Sequence, residues 1–195
     1  MPVDRHQRCA WVHLHVPLYT KYHDAEWGVP VRSDRKMFEF LVLESAQAGL
    51  SWLTVLRKRA AYKKAFANFE YTRVAKFTER DVQRLMHDAG IIRNRQKIMA
   101  TIKNAKAFIK VRKEYGTFCA YLWSFVDGQP LQPQRKTIKH VPAVTTLSEK
   151  IAQDLKQRGF SFLGPTVVYA HLQATGVVND HTVDCFRWSQ VQSLV

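Results

Sequence analysis

Three observations predict an all-α fold. Apolar residues recur at three- and four-residue spacing along most of the chain, polar caps and glycines bracket those runs, and the period-two alternation of strands is nearly absent. Ser33 caps the first run, whose apolar positions are Met37, Phe40, Leu41 and Ala48, and Gly49 ends it. Ser51 opens a second helix through Phe66 with Trp52, Leu53, Val55 and Leu56 on its inner side. Thr78, with Asp81 three residues on, starts a short helix that Gly90 ends. Asn94 opens a long helix with Ile98, Ile102, Ala105 and Ile109 at helical spacing. A helix near 118–126 precedes the loop D-G-Q-P-L-Q-P-Q. Thr146 and Glu149 form a capping box for a helix that Gly159 stops. Pro165 and Gly176 bracket the next helix, and a last one carries His181 and Cys185, four apart and so on one face.

With 195 residues and 46% apolar content, the chain can close one substantial core, and it reads as a single domain over 1–195. Thirty Lys and Arg against sixteen Asp and Glu give a net charge of +14. That balance favours a polyanion, nucleic acid before an acidic membrane surface, although a merely cationic exterior would give the same number. No apolar run approaches the roughly 18 residues of a membrane span. The opening M-P-V-D-R-H-Q-R-C lacks the apolar stretch of a secretory signal, and three cysteines are too few for a disulfide framework. A soluble cytoplasmic protein is expected.

The stretch D-A-G-I-I-R-N-R-Q-K-I, residues 88–98, reads as a helix end, a glycine turn and a basic helix start. Exposed N–H groups at such a start bind phosphate, with Arg93, Arg95 and Lys97 adding charge. A helix-hairpin-helix gripping a DNA backbone and an ordinary αα-hairpin both fit. Lys103, Lys106, Lys110 and Lys113 continue as a solvated face.

His181 and Cys185 are half of a tetrahedral metal site. Cys9, His23, His6, His13 and His15 are candidates for the other half, whereas Cys119, among apolar neighbours, reads as core. A Cys₂His₂ set drawn from both chain ends would be closed and structural. Glu44 lies on the apolar face of its helix, seven on from Met37 and four from Phe40. A carboxylate there must be paired, hydrogen-bonded or proton-shifted. Pairing with an arginine is the bland alternative. With Tyr19, Tyr22, Trp27 and Trp52, Glu44 describes a slot for a flat, electron-poor ring.

Seven motifs, in order from Cys9 to about Trp188, carry a resemblance: C-A-W-V, P-L-Y-T-K-Y-H-D-A-E-W-G-V-P, L-E-S-A-Q-A-G-L-S-W, D-A-G-I-I-R-N-R-Q-K-I, Y-L-W-S-F-V, G-F-S-F-L-G-P-T and V-N-D-H-T-V-D-C. Together they resemble the 3-methyladenine DNA glycosylase I family. The resemblance implies a helix-hairpin-helix glycosylase fold with two helical lobes, a cleft, and the hairpin element at about 79–113. It also implies a structural zinc on Cys9, His23, His181 and Cys185 that clips the termini. Glu44 would bind the base, with Tyr19, Tyr22, Trp27 and Trp52 around it. Most of the wider superfamily carries a catalytic Asp beyond the hairpin, and I-K-N-A-K-A-F-I-K-V-R-K-E has none. Ser45 stands where Gly is frequent in the motif, which bears on substrate range.

The activity implied by the resemblance is hydrolytic release of 3-methyladenine from double-stranded DNA by a monomer, without strand cleavage. Gly90, Ile91, Ile92, Arg93, Arg95 and Lys97 would hold phosphates, and Gly49 and Leu50 would wedge the stack while the lesion swings out. Two rivals remain: a non-catalytic zinc-clipped DNA-binding module, and a glycosylase for other alkylated purines.

Overall fold

A computed structural model describes residues 6–194; the first five residues of the opening M-P-V-D-R-H-Q-R-C, and the last residue of the chain, lie outside the described range. Ten α-helices and three 3-10 turns make up the described chain, and pairing of the strand kind is limited to two isolated bridges, Leu131 with Val178 and Arg135 with Thr182. The expected all-α class therefore holds.

The fold is organised around α2, Asp34–Gln47, which is buried on nearly every side from Met37 to Ala46. Three more helices pack on it: α3, Trp52–Ala65; α6, Arg95–Tyr115; and α7, Phe118–Trp123. Behind it lies α9, Pro165–Ala174, itself backed by α8, Thr146–Gln157. The short α1, Pro17–Ala25, sits against α3. The remaining helices are α4, Tyr71–Val74; α5, Glu79–Met86; and α10, Phe186–Gln192. No helix among the described residues is long and apolar enough to cross a membrane.

Local chemistry explains most boundaries. Ser51 Oγ accepts from the Thr54 amide, Asn94 Oδ1 from Lys97, and Thr78 with Asp81 closes a capping box. Gly49 ends α2 with φ +79.

Four sequence expectations are corrected. The α8 box is Thr145 with Ser148, because the buried Ser148 hydroxyl reaches the Thr145 amide while Glu149 faces solvent. Ala48 is exposed, since α2 has already ended at Gln47. The short helix before Gly90 stops at Met86, and residues 87–94 form the connecting turn. His181 and Cys185 do not share a helix: they sit in the tight turn before α10, where the Cys185 amide donates to the Thr182 carbonyl. That turn brings both side chains to one point, as a helix would have done.

Candidate functional site

Two neighbouring constellations emerge. The first joins the chain ends. Cys9, His23, His181 and Cys185 are all buried, and one ligand atom from each lies within 4.8 Å of the others. His181 Nδ1 stands 3.5 Å from both sulfurs, and His23 Nε2 stands 3.4 Å from Cys185 Sγ. The outward nitrogens are also held. His23 Nδ1 meets Asp24 at 2.7 Å, which Arg8 grips in turn, and His181 Nε2 lies 3.0 Å from the Trp27 carbonyl. Fixing the far ring nitrogen orients the near one. The Cys9 thiol beside Cys185, with both histidines, holds Cys185 well below the ordinary thiol range. In return Cys185, together with burial, pushes Cys9 up. Two soft sulfurs and two imidazoles, converging and shielded from water, can hold a metal ion. His6, His13 and His15 are exposed and take no part, and Cys119 is core, its thiol pushed up to about 12 by burial.

The close fit leaves no room beside the cluster. A side chain at Gly28, already at φ +79, would meet His181 Nε2 at 2.9 Å, and one at Gly176 would meet the Val29 backbone at 2.4 Å.

The second constellation is a cleft of about 310 Å³ between α1, α2, α3 and α9. Its aromatic wall contains every ring expected: Tyr19 and Tyr22 from α1, Trp27 just after it, and Trp52 at the start of α3. Tyr22 and Trp52 have ring centroids 5.2 Å apart. Sequence reasoning missed Trp11, which meets Trp27 edge-on at 5.0 Å and Tyr19 at 5.4 Å. Its place in C-A-W-V, two residues after Cys9, was the available signal. Gln47, Gln173, Ala170 and the run Ile138, Val141, Pro142 also line the cleft and had no such signal.

Glu44 points into this cleft and is 5% exposed. Burial alone pushes its carboxyl up to about 8, and no hydrogen bond or ion pair from a described residue relieves it. The arginine that could have done so, Arg59, is spent on Glu26 and Glu39. Burial and the neighbouring Glu44 also push Tyr22 well up. Trp52 Nε1 and Ser45 Oγ are buried without partners. So the cleft presents aromatic faces, a lone carboxyl and an unused N–H donor.

The turn between α5 and α6 is less open to a ligand than its sequence suggested. The Gly90 amide donates to Asp88, the Ile92 amide to the Tyr62 hydroxyl, and the Ile91 side chain is core. Arg95 is paired with Glu79, and Lys97 Nζ turns inward onto the Ala46 and Ala48 carbonyls at the end of α2. Arg93 is exposed. Gly49 and Leu50 protrude beside the cleft residue Gln47, with Leu50 41% exposed.

The model of the methyladenine glycosylase family matches residues 11–188. DNA-3-methyladenine glycosylase 1 of Escherichia coli is 48% identical over 92% of this chain and 95% of its own length. The Haemophilus influenzae DNA-3-methyladenine glycosylase is 43% identical over 91% and 96%. A crystal structure of 3-methyladenine DNA glycosylase I superposes with a TM-score of 0.89 at 48% identity, covering 92% of this chain and 98% of that one. A variant of 3-methyladenine DNA glycosylase I, crystallised in complex with 3-methyladenine, superposes with a TM-score of 0.86 at 40% identity, covering 88% and 92%.

Proposed function

The chain belongs to the methyladenine glycosylase family, and on that premise we propose that it is a base-excision-repair enzyme that hydrolyses the N-glycosyl bond of 3-methyladenine in DNA. The observation that carries this reading is the buried, unpartnered Glu44 carboxyl among aromatic rings at the wall of an open cleft. A core has no use for such a group, because burying it without a partner costs free energy. A cationic, flat purine repays that cost.

N3-methylation makes the purine ring positive and weakens its bond to C1′. The lesion enters extrahelically, and Tyr22 and Trp52 flank its ring. Near neutral pH the empty Glu44 is largely protonated; the arriving positive charge favours the carboxylate, which accepts from the exocyclic amine. Water adds at C1′ and gives up a proton to solvent, the glycosidic electron pair leaves with the base, and the base departs neutral. No lysine stands among the cleft-lining residues, so no covalent intermediate and no strand cleavage are assigned. Chain 1–195 acts as one domain of two helical lobes. Its helix-hairpin-helix spans α5 and α6, with the exposed Arg93 on a phosphate and Gly49–Leu50 as the wedge. Monomeric action suits this arrangement.

Zinc is the metal that suits the Cys9, His23, His181, Cys185 donor set, four soft or borderline ligands with no open position. It would hold the N-terminal arm to the turn before α10 and so support the wall bearing Trp11 and Trp27.

The test is release of free 3-methyladenine from alkylated duplex DNA. Wild-type protein is expected to release it, and Glu44→Gln to be slower by roughly 10²-fold. Equal rates would remove Glu44 from the chemistry. A stable DNA complex without base release would favour the non-catalytic module.

A further inference from the structure

Resting on that reading of the cleft, we propose that residues 136–144 form a two-sided strap that contacts phosphates beside the extruded nucleotide while closing over its base. Three observations place it there. Ile138, Val141 and Pro142 line the same cleft as Glu44 and the aromatic rings. On the same segment Lys136, Lys139 and His140 are exposed, and no acidic residue of the described chain pairs with either lysine. The strap's hydrogen bonds are all internal: the His140 amide to Thr137, the Val141 amide to Ile138, and the Thr137 hydroxyl with His140 Nδ1.

Its two ends are fixed. Arg135 bridges to Thr182, and its guanidinium is held by Asp180 at 3.0 Å, so this cation is already committed. At the other end Thr145 caps α8. Between these anchors an apolar inner side faces the cleft and an outer side carries unpaired positive charge. A nucleotide turned out of a duplex presents that combination: an apolar-faced ring entering the cleft, and a phosphate on each side left at its rim. Exposed cations at a rim gain by displacing counterions from those phosphates. The turn between α5 and α6 has most of its cations committed internally, which leaves the strap to supply charge on the cleft side.

The experiment compares wild type, the double variant Lys136→Ala/Lys139→Ala, and Ile138→Ser. Equilibrium binding to a duplex bearing a tetrahydrofuran abasic analogue is measured between about 50 and 200 mM salt, and binding of free 3-methyladenine is measured in parallel. The double variant is expected to flatten the slope of log K against log salt by about 2. Ile138→Ser is expected to keep the wild-type slope and to weaken the free base by roughly tenfold. An unchanged slope in the double variant overturns the phosphate contact, and unchanged free-base affinity in Ile138→Ser overturns the closure over the base. Wild-type protein that fails to bind the free base would sink the cleft reading and with it the closure, while the salt slope still decides the phosphate contact.

Discussion

Glu44 and Asp180 are both carboxylates removed from water, at 5% and 1% exposure, and their surroundings could hardly differ more. Asp180 is saturated. Arg135 and Gln173 donate to it at 3.0 and 2.9 Å, and the Tyr169 hydroxyl makes a shorter bond still. Next to it the Cys9, His23, His181 and Cys185 cluster is equally complete, each histidine fixed at both nitrogens. Glu44 has none of this, although Arg59 lies on the helix packed against its own. One region spends its polar groups on holding the chain ends together; the other leaves the Glu44 carboxyl and the Trp52 indole N–H without a protein partner at a cleft. Stability is concentrated in the first and ligand chemistry in the second.

Breaking the saturated side should have the largest effect. Asp180→Ala strands Arg135 and Tyr169 and should destabilise the protein by about 3–5 kcal/mol in denaturant titration. A loss under about 1 kcal/mol would mean that the pairing is ornamental. The unsatisfied side should respond in the opposite sense. Glu44 binds its proton more tightly folded than unfolded, so its contribution to stability is full below the unfolded value and is lost as pH rises through about 8. Glu44→Gln should therefore gain roughly 1–3 kcal/mol over wild type at pH 9 and nothing at pH 4, as thermal melts at the two pH values would reveal. The smallest effect is expected at Ser45, whose buried hydroxyl has no partner. Ser45→Ala should stabilise by about 1 kcal/mol; a comparable loss would point to a buried water bonded there.

Legibility in the sequence divides along the same line. Helix positions could be read from caps and periodicity, which are local: Ser51, Asn94 and Thr78 each act within three residues of themselves. Glu44 was conspicuous because a charge on an apolar face violates its own helix pattern. The convergence of Cys9, His23, His181 and Cys185 had half a local signature, and the motif order supplied the rest. Gln47 and the Ile138–Pro142 run reach the cleft only through tertiary packing, and nothing in their spacing marks them, whereas Trp11 had only its place in C-A-W-V. The inward turn of Lys97 onto the end of α2 was equally hidden, because a basic residue at a helix start reads as a phosphate ligand until the neighbouring carbonyls are placed.

The most direct test is a carboxyl ¹³C titration of the ligand-free protein, with the Glu44 resonance assigned by its disappearance in Glu44→Gln. A midpoint near 8 is expected for a buried group left open for a ligand. A midpoint at the ordinary glutamate value, about 4.5, would mean that solvent or an unnoticed cation already satisfies it, and would contradict the division between the two carboxylates.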